Sequence, residues 1–280
     1  MTVRRPAASA LATSLLAASL LTGVSASTSA AAAPVGAAPA RPAAAAALAP
    51  RAAAAVPKAG QCYRYSVRQA AASSSPTAPV ACTAPHTAWT YYVGTFTGRA
   101  ARVTSPTSLT LDRPAMAACY AKRAAVFGGA VHLTRLQFAW FLPTPAQWAR
   151  GARFFRCDAV AELGRASYAL LPPRLPSVLA TPAGLESLRA CARAATGVRV
   201  PCTLSHDARA VSWLRLASPT TPYPGPAAIE ALVRSRCTAA LAALPGAPTL
   251  AWYTWPMAGS WSAGHRVVTC YAADPPPVVG

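Results

Sequence analysis

Three sets of side chains in this sequence are of types that could do chemistry. His86 and His206 each stand four residues after a cysteine, in VACTAPHTAW and VPCTLSHDAR, so C-T-x-x-H occurs twice. A histidine there could serve as a general base or a metal ligand. Trp148 with Arg153 and Trp261 with Arg266 sit in PTPAQWARGARFFRC and PMAGSWSAGHRVVTC, where Pro, Trp, Gly, Arg and Cys fall at the same offsets. Such a pair, if exposed, could stack on a sugar or hold an anionic group. The third set is the eight cysteines, Cys62, Cys82, Cys119, Cys157, Cys191, Cys202, Cys237 and Cys270.

The partners that catalysis would need are sparse. The acids are Asp112, Asp158, Glu162, Glu186, Asp207, Glu230 and Asp274, scattered and mostly at unmatched positions. Glycoside hydrolysis usually needs two carboxylates facing one bond, and no such pair recurs. The nucleophile elbow G-x-S-x-G is absent. A cysteine nucleophile needs an unpaired thiol, whereas the cysteine count is even. Zinc sites usually bring cysteines in close pairs such as C-x2-C, and none occurs. The expectation is therefore no catalytic residue, no metal and no cofactor, with each histidine bonding a nearby carbonyl. The alternative is a cell-wall-active hydrolase using His86 or His206.

The elements that must position these residues are written twice. Beyond C-T-x-x-H, CYAKRAAVFGG from Cys119 and CTAALAALPGA from Cys237 share a helix-like apolar pattern that meets glycine at Gly128 and Gly246. QFAWFLPTPAQWARGARFFRC and LAWYTWPMAGSWSAGHRVVTC align without a gap. Three matched segments in one order indicate a tandem duplication. AWTYYVGTF and ARAVSWLRL read as strands, being rich in aromatic and β-branched residues. A helix is expected to open near Pro114 and near Pro226, since proline suits a first turn. A strand pair closes each copy: QFAWFLP with ARFFRC, and TLAWYTW with HRVVTC. The fold expected is α+β, two tandem disulfide-stapled repeats, each a small antiparallel sheet with one helix. In the repeated phrase, Pro143 or Pro256 ends a strand, the tryptophan folds back over the sheet edge, and Gly151 or Gly264 permits the turn into the last strand.

Compartment and chain organisation follow from composition. Arg4 and Arg5, an apolar run from about Ala10 to Val24 and then small residues give the layout of a secretory signal peptide, 1–33. The two arginines also resemble a twin-arginine signal, without the rest of that motif. The apolar run is shorter than the roughly 20 residues that span a bilayer, so a retained anchor is the lesser reading, and membrane contact would come only through an uncleaved signal segment. An Ala/Pro-rich linker, 34–58, precedes repeat 1 (59–163), and a Pro-rich linker, 164–184, too interrupted by proline for a helix, leads to repeat 2 (185–275). Export and an even cysteine count favour disulfides. Four cysteines per half allow three connectivities, and the favoured one pairs Cys62 with Cys82, Cys119 with Cys157, Cys191 with Cys202 and Cys237 with Cys270. The formal charge of +19 comes nearly all from arginine. Such a surface is drawn to anionic polymers and lipid headgroups, but no dense basic run marks a nucleic-acid arm.

The order Cys, V-x-C-T-x-x-H, helical Cys, P-x4-W-x2-G-x-R-x3-C resembles the septum formation domain family, exported or membrane-tethered modules of actinobacteria. The resemblance runs from about Gly60 to Asp158 and from about Leu188 to Ala272. It implies an envelope location, a disulfide-linked fold and a link to cell division. In that family's pattern an acidic residue often stands near the histidine; the second half has Asp207 there and the first has Thr87. The resulting expectation is a secreted, extracellular or wall-associated, non-catalytic binding or interaction module, its partner an anionic cell-wall polymer or an envelope protein and not nucleic acid.

Overall fold

Residues 55–274, apart from 76, 108 and 219, are described by the computed structural model of the protein. The expected signal peptide and nearly all of the expected first linker lie outside the described residues. In the first repeat the elements are β1 (Cys62–Tyr63), α1 (Val67–Ala70), β2 (Ala88–Thr95), α2 (Gly98–Ala101), α3 (Leu109–Phe127), β3 (Leu136–Phe141), α4 (Pro145–Ala149), β4 (Phe154–Glu162) and β5 (Tyr168–Ala169). Two short helices follow, α5 (Leu175–Leu179) and α6 (Pro182–Ser187). The second repeat then runs β6 (Ala190–Arg193), β7 (Val198–Pro201), β8 (Ala208–Arg215), α7 (Pro226–Ala242), β9 (Leu250–Tyr253), α8 (Ala258–Ser262) and β10 (Val267–Ala273).

The two sheets repeat one another in order and in register. The first runs β1-β2-β4-β3 with β5 on β4, the second β7-β6-β8-β10-β9, and all pairings are antiparallel. Where the second sheet has β7, with Val200 opposite Cys191, the first has a single bridge between Cys62 and Val80. The β2–β4 ladder skips Tyr91, and the β8–β10 ladder skips Val211. These are equivalent positions counted from the matched cysteines, so even the bulge was copied. A bulge re-aims the side chain it frees, and buried Tyr91 donates its hydroxyl hydrogen to the Cys119 carbonyl at 3.0 Å.

One helix covers one face of each sheet. Leu111, Ala115 and Cys119 recur every fourth residue along α3, and Ile229, Val233, Cys237 and Leu241 do so along α7. That spacing keeps them on one helical face, and all are buried. The cysteine of each stripe is bonded to the last strand, Cys119 to Cys157 and Cys237 to Cys270. Cys62 to Cys82 and Cys191 to Cys202 tie the first strand to the loop that precedes the second major strand. The bonds close loops of 20, 38, 11 and 33 residues. In the chain-entropy model each contributes about 3 to 4 kcal/mol.

Two local expectations fail for identifiable reasons. The first helix begins at Leu109 and carries Pro114 inside it, not at its start. Asp112 supplies the favourable negative charge of its first turn and accepts a hydrogen bond from Trp140 Nε1 at 3.1 Å, so upstream residues extend the helix past the proline. The stretch 164–184 is not a bare spacer. Proline opens α5 and α6 instead of breaking them, and Leu171, Leu175 and Leu179 join the first repeat's helix-side core. Pairing with neighbouring leucines outweighs the local proline signal.

The repeats pack against one another. Thr134 bridges to Arg189, Arg199 Nε lies 2.7 Å from Glu162, and Thr269 Oγ1 donates to the His132 carbonyl at 2.8 Å. Tyr120 and His265 stack with ring centroids 4.4 Å apart, and His132 lies 4.8 Å from the Trp213 ring. A Cβ on Gly129 would come within 2.7 Å of Trp213, so glycine is what lets that ring close. Burial lowers the pKa of His132 to about 3 and holds His265 well below the usual histidine range; Arg123 adds to both, with Arg215 beside His132 and Arg266 beside His265. Both are therefore neutral in the fold and must be desolvated as cations if protonated. Groups with a depressed folded pKa stabilise above the unfolded value near 6.5 and lose that contribution as pH falls below it. Stability should drop between pH 7.5 and pH 5, above the carboxylate range, by about 2 kcal/mol from His132, with His265 adding in the same direction. Thermal unfolding across that window should show it, and His132→Gln/His265→Gln should flatten the slope.

Candidate functional site

The Trp–Arg pairs share one stacked arrangement in the two repeats, and both indoles are inward. In the first, Thr144 caps α4 through a reciprocal box with Gln147, and this unexpected short helix carries Trp148 into the core beside Phe96. Trp148 Nε1 donates to the Val103 carbonyl at 3.0 Å. Gly151 turns the chain at φ 89°, and Arg153 then lies 3.9 Å over the indole. Its Nε donates to Ala101 O at 2.7 Å, and its Nη1 to Trp148 O and Ala152 O at 2.9 and 2.8 Å. In the second, Gly264 turns at φ 87° and Arg266 lies 3.9 Å over Trp261. Arg266 donates to Ser218 O and His265 O at 3.1 Å each, to Thr221 O at 3.1 Å and to Trp261 O.

Of the two uses the sequence left open to these pairs, folding and binding, their burial is that of the folding one. Trp148, Trp261 and Arg266 are each 3 % exposed, and Arg153, half-buried, spends its Nε and Nη1 on carbonyls. Neither indole offers a face to a sugar, because the guanidinium occupies it. Each arginine instead clips the loop before the main helix to the turn before the last strand. Removing it leaves several buried carbonyls unpaired and uncovers the indole. Arg266→Ala and Arg153→Ala should each destabilise by about 2 to 4 kcal/mol, measured by denaturant unfolding. Lysine should rescue little, since it lacks the planar fork.

The histidines turn back on their own loops. His86 Nδ1 lies 2.9 Å from Ala84 O, and His206 Nδ1 2.6 Å from Leu204 O, so each ring closes the turn two residues upstream. His86 is 1 % exposed, and its carbonyl accepts from Leu171 N. His206 Nε2 lies 3.2 Å from Asp274 Oδ2. The acidic partner is thus Asp274 rather than Asp207, whose carboxylate accepts from Ala194 N at 2.7 Å. Cys191, His206 and Asp274 bring ligand-type atoms within 4.8 Å of one another. Cys191 is bonded to Cys202, so its sulfur is no thiolate, and Arg209 Nη1 stands 3.8 Å from Asp274. That environment suits an ion pair better than a metal cation.

A third site escaped the sequence reading because it is not repeated. In β4, Arg156 and Asp158 alternate with Cys157 and so point to the sheet face away from α3. Both are buried, Asp158 completely. Arg156 Nε lies 3.0 Å from Asp158 Oδ2 and 3.2 Å from Oδ1. Thr90 donates to Oδ1 at 2.6 Å, and the Tyr65 hydroxyl donates to Oδ2 at 3.2 Å. Burial raises the Asp158 pKa, opposed by the adjacent guanidinium and these donors. The Arg156 guanidinium lies 3.6 Å over Tyr63 and 4.8 Å from Phe141. Above it opens a cavity of about 410 Å³ whose wall also includes Phe154, Gln147 and Arg150. The signal was the R-C-D alternation, which reading the strand as ending at Cys157 hid.

No curated protein and no solved structure matches the chain. The family model described as septum formation matches residues 59–270, which takes in both repeats from before Cys62 to Cys270. With the duplicated Cys, His, Trp and Arg framework carried by that match, the chain belongs to the septum formation family.

Proposed function

We propose that the protein is a non-catalytic module of the cell envelope, exported, that binds an anionic cell-wall polymer or an envelope protein in the setting of septation. The observation that carries this reading is the division of labour between shared and unshared residues. Everything the two copies have in common, namely the bonded cysteines, the looped-back histidines and the buried Trp–Arg clips, is spent on holding the fold. The unshared residues leave a basic exterior and a cavity. Arg64, Arg68, Arg99, Arg102, Arg150 and Arg174 are exposed, on a chain of formal charge +19. Long-range attraction to a polyanion is the physical effect such a surface has, and salt screens it over about 10 Å at 0.1 M. Closed disulfides fit an oxidising compartment.

A hydrolase using His206 is the second reading, favoured by the His206–Asp274 contact. Against it, both ring nitrogens are engaged, one by a carbonyl and one by a carboxylate, which leaves neither for a nucleophile. His86 has one nitrogen on a carbonyl and the other buried.

Retention on isolated cell walls should fall several-fold between 0.05 and 0.5 M salt. Replacing Arg64, Arg68, Arg99 and Arg102 by Gln should lower low-salt retention without changing the melting temperature. Salt-independent retention would overturn the electrostatic reading. Peptidoglycan and ester substrates should show no turnover; slow hydrolysis that His206→Ala abolishes would establish the hydrolase instead.

A further inference from the structure

The geometry points to the cavity over Arg156 as a binding site for the carboxylate end of a short peptide. It deepens the binding reading above, on which it rests, by naming a ligand class.

The floor is a charged group held ready. Arg156 is 4 % exposed and lines the cavity, and its Nη2, buried from water, has no hydrogen-bond partner among the described residues. An unpaired buried donor of a charged group is costly, and native structures rarely keep one without a use. The guanidinium cannot swing away. Its plane rests on Tyr63, its Nε edge is held by Asp158, and Asp158 is itself fixed by Thr90 and Tyr65. What remains is the Nη2 donor, to which a carboxylate oxygen can bond with charge assistance.

Charge selects the same class. Among the described residues the lining has two cations, Arg156 at the floor and Arg150 exposed at the mouth, and no acid. Asp158, behind the floor, already balances much of the Arg156 charge. A monoanion is thus matched, whereas a phosphate dianion would be left short of both donors and positive charge. The walls add the rest of the ligand. Phe141, Leu142, Phe154 and Val56 give an apolar lining for aliphatic side chains, and the volume is in the range of small-ligand sites.

Among the described residues the second repeat does not repeat this Arg–Asp pair. Its residues equivalent to Arg156 and Asp158, counted from the matched cysteine, are Thr269 and Tyr271, and that sheet face packs on Leu133 of the first repeat.

The test uses the full chain in isothermal titration calorimetry with N-acetyl-Ala-Ala, its C-terminal amide and inorganic phosphate as probes. The expected result is binding of the free acid at least tenfold tighter than of the amide or of phosphate. Arg156→Gln/Asp158→Asn, which removes both charges at the cost of two side-chain heavy atoms, should retain cooperative melting and lose that preference. Arg150→Ser should weaken acid binding two- to fivefold. Equal binding of acid and amide, phosphate binding as tight as the acid, or an unchanged preference in the folded double variant would each overturn the site. Wall retention separates the two readings. A carboxylate preference in the titration alongside salt-independent wall retention would sink the polymer reading and leave the site.

Discussion

One helix laid on one face of a short sheet buries too little apolar surface to hold its place by packing alone. In both repeats the constraint that makes up the difference is a sulfur bridge from the centre of the helix to the last strand. Cys119 and Cys237 lie well inside their helices, and Cys157 and Cys270 on strands paired on both sides. Once that bridge is closed the helix cannot slide along the sheet, and the loops at its two ends must be pinned where they fall. The Trp–Arg clip does this at the end leading into the helix, because its arginine reaches back to Ala101 or to Ser218 and Thr221. The bridge sets the helix, and the clip sets the chain entering it.

The framework was legible in the sequence because it was written twice. A phrase that occurs at the same offsets in two places supplies its own alignment, and that is why the order of strands and the helix cysteines could be read. Where the copies differ, that aid vanished. Pro114 suggested a helix start because proline is usually read as a boundary, yet Asp112 and Leu111 extend the helix before it. The prolines between 164 and 184 suggested a spacer, yet leucines among them find partners on the first repeat that no local rule could foresee. The Trp–Arg pairs left both a folding and a binding use open, since residue type says what a side chain can touch and not which way it faces.

The buried Arg156–Asp158 pair was the least legible feature, and its physics explains why. A charged residue in a strand is ordinarily read as facing water, and burial of an ion pair is worthwhile only where further donors complete it. Those donors, Thr90 and Tyr65, come from 68 and 93 residues away along the chain. Nothing in the local sequence announces them. By contrast the surface arginines were visible as composition, but their exposure rather than their number decides what they can attract.

Among the described residues only the first copy carries the polar floor, and the two sheet faces differ accordingly. A two-faced sheet with a single helix has one face left to cover. In the second repeat Ala190, Ala192, Ala208 and Ala210 make that face flat and small, and Leu133 of the first repeat lies against it. In the first repeat the corresponding face carries Tyr63, Tyr65 and Phe141, and the segment around α1 and β5 covers only part of it. Two identical faces could not both be satisfied by one neighbour. The copy with small residues forms the seam, and the other places a fixed guanidinium between aromatic rings beneath an open cavity.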